Sequence, residues 1–121
     1  MGEMSSPEAL FHGHPLGYQL YQAAARVIQE FGEVELRATK SQVAFRARRG
    51  FAYVWRPGQY VRSDVPAVLS IALPRRLRSP RFKEVVHVSD RVWMHHLELS
   101  AVEDIDDEVV AWLTEAYDAA S

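Results

Sequence analysis

A chain of 121 residues suits one domain and is short for two. Hydrophobic residues make up 48% of it and charged residues 25%, the balance of an ordinary soluble globular domain. It holds no cysteine, which excludes a disulfide framework, a thiolate metal site and a cysteine nucleophile.

The net charge of −2 conceals three blocks. Residues 1–36 set Arg26 against five acids, a net −4. Residues 37–91 set 13 Lys or Arg against Asp64, Glu84 and Asp90, a net +10. Residues 92–121 carry eight acids and no Lys or Arg, a net −8. Such segregation means either an anion-binding surface or a basic sheet neutralised by acidic helices beside it, and the second is the commoner outcome. No apolar run approaches the length of about 18 residues that reads as a membrane span. The start lacks a charged-then-apolar secretory pattern, so a cytoplasmic location is expected. Met1-Gly2 with Ser6 fits a loose acylation pattern, read here as chance because Glu3 is a poor start.

Residues 1–10 are weakly patterned and read as a disordered lead, with a single domain over 11–121. Pro15 suits the first position of a helix. Leu16, Leu20, Ala24, Val27, Ile28 and Phe31 follow as one apolar stripe, and Gly32 supplies the stop. Gly17 in the first turn costs about 1 kcal/mol relative to alanine. Val34, Leu36 and Ala38 alternate with polar residues as a half-buried strand. Alternation also predicts strands over Val43–Ala47 and Phe51–Trp55, ended by Pro57-Gly58. Val68–Leu73 is a continuous apolar run and reads as a better-buried strand. Residues 74–84 form a basic connection in which Ser79-Pro80 suits the start of one helical turn. A short strand over Glu84–Val88 and a strong one over Val92–Leu99 flank a turn at Asp90-Arg91. Asp104 or Asp106 caps a closing helix whose stripe is Ile105, Val109, Trp112, Leu113, Ala116 and Tyr117. The expected fold class is α+β: a two-layer domain, with a roughly five-stranded, mostly antiparallel meander sheet and both terminal helices on one face. The other face must meet water or a partner.

The hairpin around Arg49-Gly50 decides what that open face carries, because a one-residue slip exchanges the two faces. A two-residue turn with Gly50 at positive φ pairs Ala44 with Trp55 and Arg46 with Tyr53, and puts arginines and aromatics on one face. Such a face is how sheets bind single-stranded nucleic acid. A three-residue turn pairs Phe45 with Tyr53 and Val43 with Trp55, and sends the aromatics to the core. The second register is expected, since it gathers large aromatics where helices cover them.

Candidate chemistry is sparse. His95 and His96 are adjacent on a strand and point to opposite faces, so they do not grip one ion together. One belongs in the core with Trp93, Leu97 and Leu99, and the other on the open face. His12 and His14 with a strand histidine would supply three zinc ligands, but no motif such as H-E-x-x-H accompanies them and no metal site is assigned. The acids Glu98, Glu103, Asp104, Asp106, Asp107 and Glu108 are accounted for by capping and solvation. Phosphate loop, dinucleotide glycine fingerprint and nucleophile elbow are all absent from the sequence, so neither a catalytic residue nor a cofactor is assigned. The strongest lead is the basic segment Arg75, Arg76, Arg78, Arg81 and Lys83, which with Arg46, Arg48, Arg49 and Arg56 would line a phosphate-binding surface.

Motifs spread from Phe11 to Tyr117 resemble a known family. They include Phe11-x-Gly13-x-Pro15, Thr39-Lys40, Phe45-Arg46-x-Arg48, Gly50-Phe51-Ala52 and Trp55-x-Pro57-Gly58. Leu69-Ser70-x-x-Leu73-Pro74, Ser79 through Val86, Met94 through Leu99, Asp106 through Val109 and Ala116-Tyr117 continue the series. The chain resembles the small bacterial proteins of domain-of-unknown-function family 5655. The resemblance implies a two-layer α/β domain, found alone or appended to larger proteins, some of which look like restriction systems. It implies no established activity and no established site.

The functional expectation is a non-enzymatic binding module for an anionic partner, either nucleic acid or a phosphorylated ligand. Arg46, Arg48, Arg49, Arg56, Arg75, Arg76, Arg78, Arg81 and Lys83 would make the phosphate contacts, with His96 on the open face. The alternative is a homodimer, or docking on a larger protein, through an open face holding Ala44, Val54, Val68, Ala72 and Met94. A small enzyme using His95 or His96 as acid–base is the third reading. No membrane partner is expected.

Overall fold

The computed structural model describes residues 5–121. Residues 1–4, with the Met1-Gly2 start and the first part of the lead, lie outside the described residues. Within the rest of the lead, Pro7–Leu10 forms a helical turn, α1, whose start is capped by Ser6 accepting from the Ala9 N–H at 3.1 Å. Leu10 and Phe11 are buried and tie this turn to the core. Helix α2 spans Pro15–Gln29 and helix α3 spans Asp107–Ala120. Two short 3-10 turns, Pro57–Gln59 and Val102–Asp104, complete the helical elements.

In α2 the buried stripe is rotated from the expected one. Leu16 is 43% exposed, while Gly17, Tyr21 and Ala25 join Leu20, Ala24 and Ile28 in the core. Gly17 is there for contact: a Cβ at this position would meet the Phe11 ring and the Pro66 carbonyl at 2.8 Å. In α3 Asp106 is the N-cap, accepting from the Val109 N–H at 3.1 Å. Asp104 serves the preceding turn by accepting from the Ser100 and Ala101 N–H groups.

The described residues form six strands, not five: β1 (Glu35–Ala38), β2 (Val43–Arg46), β3 (Gly50–Trp55), β4 (Ala67–Leu73), β5 (Phe82–Ser89) and β6 (Val92–Leu99). Every neighbouring pair is antiparallel, in the order β1-β2-β3-β4-β6-β5, with α2 and α3 packed on one face. This is an α+β fold, but the sheet is not a plain meander. After β4 the chain passes to the outer edge before β6 returns between β4 and β5. Burial explains the choice. His95, Leu97 and Leu99 make β6 a core strand, whereas β5 is exposed along most of its length and tolerates the edge. Ser79-Pro80 forms a turn closed by the Phe82 N–H on the Ser79 carbonyl, not a helical turn.

The expected hairpin register is overturned. Val43 pairs with Val54, Ala44 with Tyr53 and Phe45 with Ala52. Tyr53 and Trp55 therefore lie on the open face, and Val54, expected there, is in the core. Neither predicted turn forms. The loop is the three residues Ala47–Arg49, one position earlier than the expected three-residue turn, and Gly50 begins β3 without positive φ. An irregularity beside Arg46 and Gly50 turns Phe51 inward, where it is buried against Tyr117 of α3 at 5.5 Å. The loop is held from outside itself: the Arg48 N–H donates to the Ala120 carbonyl at 2.8 Å, and the Arg49 guanidinium donates to the Ala119 carbonyl at 2.8 Å.

A candidate binding cleft on the open sheet face

The structure scatters the cations that the sequence grouped. Arg75 makes a two-pronged bond to Glu115 of α3, both contacts at 2.9 Å. Arg81 donates to Asp106 at 3.0 Å, to Glu108 at 2.9 Å and to the Asp104 carbonyl, with its guanidinium 5.7 Å from the Trp112 ring centre. These arginines hold the Asp106 and Glu115 carboxyls below their ordinary range. Arg49 is used at the C-terminal end of α3, and Arg46 lies 3.7 Å from Glu35. Arg46 and Arg48 line a shallow depression with Tyr117, while Arg76 and Arg78 line another with Phe82 and Val85. Arg56 is half-buried beside the start of α2, its Nε lacking a partner among the described residues. Lys83 is exposed on edge strand β5, and His96 lies on the open face, three strands across from Arg46.

The two histidines differ in surroundings. His95 is fully buried on the helix-covered face. Its Nε2 accepts from the Leu77 N–H at 3.0 Å and its Nδ1 bonds the Trp93 carbonyl at 2.9 Å, so Nδ1 carries the proton. His96 lies in a row that crosses the open face through the register: Arg37, Ala44, Tyr53, Ser70, His96, Glu84. Burial pushes the His96 imidazole below its ordinary pKa, against the opposing pull of Glu84.

A cleft of about 530 Å³ opens over this row. Trp55, Tyr53, Tyr60 and Met94 form its walls, with Ser41 and Gln42 at one rim. Its floor is a hydrogen-bond chain. The Trp55 indole N–H donates to Ser70 Oγ at 2.8 Å, and Ser70 Oγ stands 2.6 Å from His96 Nδ1. Ser70 is only 2% exposed. An apolar-walled recess with a few convergent polar groups is the usual form of a small-ligand site. Among the described residues no group of three His, Asp or Glu side chains is placed to hold a metal ion, and no helix is long and apolar enough to cross a membrane.

Of the predicted site residues only His96 lines this cleft. The sequence reading weighed Tyr53 and Trp55 for the open face but preferred the register that sent them to the core, and it gave Ser70 and Tyr60 no role. One signal was present: Ser70 is the single polar residue in the apolar run from Ala67 to Leu73.

Fold and cleft together define a small two-layer α+β domain, with one sheet face closed by helices and a ligand-sized recess on the other. The chain belongs to the family described as Domain of unknown function (DUF5655), whose model matches residues 11–120. No curated protein and no solved structure matches the chain.

Proposed function

We propose that this domain is a binding module that takes a phosphorylated, ring-bearing ligand, a nucleotide or a single-stranded nucleic acid, on its uncovered sheet face. The observation that carries the reading is the cleft itself: three aromatic side chains stand around a polar floor on the face opposite α2 and α3. Aromatic side chains on an open sheet stack bases, at about 1–3 kcal/mol per base. Arg37 and Arg46 on β1 and β2 are the cations of the same face and lie toward one end of the row, while Glu84 and Glu98 lie toward the other. The phosphate is therefore directed toward β1 and β2. Arg75 and Arg81 are engaged by α3 and contribute little to a ligand, whereas Arg76 and Arg78 meet no carboxylate among the described residues and are available to a longer strand.

Tryptophan fluorescence tests this directly. Uridine 5′-monophosphate and a labelled oligothymidylate should quench the emission of Trp55, and Trp55→Phe should abolish the change. Arg37→Glu should weaken both ligands. Reversing the charge at Arg76 and Arg78 should weaken the oligonucleotide and leave the mononucleotide unaffected. Absence of quenching and of anisotropy change at low salt, with the fold intact by circular dichroism, removes the reading.

A second reading is favoured by the apolar row beside the cleft. Ala72, Met94 and Val86 are neighbours across β4, β6 and β5, and Val86 is 36% exposed. A homodimer through this face would cover them. Sedimentation at micromolar concentration decides: a monomer leaves the ligand reading alone, and a dimer that dissociates on Met94→Glu supports the alternative.

A further inference from the structure

We infer that the Trp55–Ser70–His96 chain fixes the hydrogen-bond sign that the cleft shows its ligand, so that the ring it takes carries a carbonyl oxygen or an unprotonated ring nitrogen facing His96, as pyrimidine bases and other amide-containing heterocycles do. The inference rests on the reading of the cleft as a ring-binding site and adds to it the chemical class of the ring.

The argument is an accounting of protons. The Trp55 indole nitrogen is a donor only, so Ser70 Oγ accepts from it. Ser70 is almost fully buried, and its single hydroxyl hydrogen needs an acceptor. Among the described residues the one acceptor at hydrogen-bond distance is His96 Nδ1, 2.6 Å away. Ser70 therefore donates to His96, Nδ1 is unprotonated, and in the neutral imidazole the proton sits on Nε2, the ring nitrogen farther from the main chain. No protein partner bonds Nε2 among the described residues. His96 lines the cleft, so a ligand seated there meets an N–H donor whose tautomer is set from beneath. The neighbouring His95 is held in the opposite tautomer by the Leu77 N–H and the Trp93 carbonyl. The remaining polar groups of the cleft, the hydroxyls of Tyr53, Tyr60 and Ser41 and the amide of Gln42, donate or accept as required. His96 alone imposes a sign.

A site built to donate one hydrogen bond discriminates against a ring that lacks the acceptor, because the donor then loses its water without replacement. Phenyl phosphate has a ring and a phosphate but no ring acceptor. Ribose 5-phosphate has the phosphate and no ring. Uridine 5′-monophosphate has all three features.

Two measurements on the full chain test the inference. Long-range proton–nitrogen spectra of labelled protein at neutral pH should show His96 protonated on Nε2 and His95 protonated on Nδ1. A His96 protonated on Nδ1, or a mixture of tautomers, overturns the inference whatever binds. In titrations, uridine 5′-monophosphate should bind about five- to tenfold more tightly than phenyl phosphate, the worth of one hydrogen bond, and ribose 5-phosphate should bind weakest. His96→Phe should remove the preference for the uridine nucleotide over phenyl phosphate. His96→Gln, which keeps one donor and one acceptor, should restore most of the preference. Circular dichroism confirms that each variant is folded, and where Phe disrupts the fold, Ser70→Ala tests the same step through loss of the single tautomer. Equal binding of uridine 5′-monophosphate and phenyl phosphate overturns the inference and leaves the cleft a ring-binding site. Failure of all three to bind overturns both the cleft reading and the ring class.

Discussion

His95 shows how much one buried polar side chain determines. It bonds the Leu77 N–H at 3.0 Å and the Trp93 carbonyl at 2.9 Å, and its ring packs 4.8 Å from that of Phe82. It thereby pins the β4–β5 connection, which contains Leu77, onto β6. His95→Ala leaves two polar groups unpaired and a cavity behind them, and should cost about 2–4 kcal/mol in urea denaturation. Burial also sets a pH dependence. His95 and His96 both titrate below 6.5 in the folded chain and near that value when unfolded. Below 6.5 the unfolded state binds more protons than the folded state, so stability falls as pH drops through that value towards the folded-state pKa values, and changes little above it from these groups. The slope is at most about 1.4 kcal/mol per pH unit per histidine. Denaturation midpoints at neutral and mildly acidic pH should show the loss, and His95→Gln should reduce it; an unchanged slope in that variant would mean His95 does not titrate as argued.

Among the elements, α2 and α3 are each positioned by contacts outside their own periodicity. Helix propensity alone favours Gly17→Ala by about 1 kcal/mol. The Phe11 ring and Pro66 carbonyl at 2.8 Å from the new Cβ reverse that sign. A net loss of about 1–3 kcal/mol is expected from overpacking, read as a lower melting temperature. In α3, Arg81 joins the N-cap Asp106 and Glu108 to the strand-leading turn and lies against Trp112. Its side chain is 27% exposed, so Arg81→Ala should cost about 1 kcal/mol, part of it lost packing, and the loss should shrink as salt rises. The more exposed Arg75–Glu115 pair should contribute less than about 1 kcal/mol.

For the whole molecule, the three charge blocks become a geometric fact. Half of the acidic block's carboxylates lie on α3, which packs against the basic β4–β5 connection, where Arg75 pairs with Glu115 and Arg81 with Glu108 and the N-cap Asp106. Arg75 and Arg81 are therefore engaged inside the fold, and Arg49 is held by the C-terminal end of α3. A nucleic acid bound on the open face should release few counterions. The slope of log affinity against log salt should correspond to about two to four phosphates, those within reach of Arg37, Arg46, Arg76 and Arg78, and an anisotropy series measures it. A slope near nine would place all nine expected cations, Arg75 and Arg81 included, on the ligand.

The order of the two long helices and the strands between them, the end of the third strand at Pro57, an aspartate N-cap at Asp104 or Asp106 and the division of His95 from His96 were legible in the sequence. Each follows from period, from capping chemistry or from alternation, which act over a few residues. Which face Tyr53 and Trp55 occupy was not legible, and neither was the cleft that depends on them. Alternation assigns residues to two faces without saying which is covered, and the turn at Ala47–Arg49 admitted several registers. Its register is set from 70 residues away: Arg48 and Arg49 bond the last carbonyls of α3, and Tyr117 draws Phe51 inward. The place of β6 inside β5 was likewise decided by which strand the helices bury. Local chemistry shaped the elements, and only their packing brought Trp55, Ser70 and His96, from three strands, into one row of bonds.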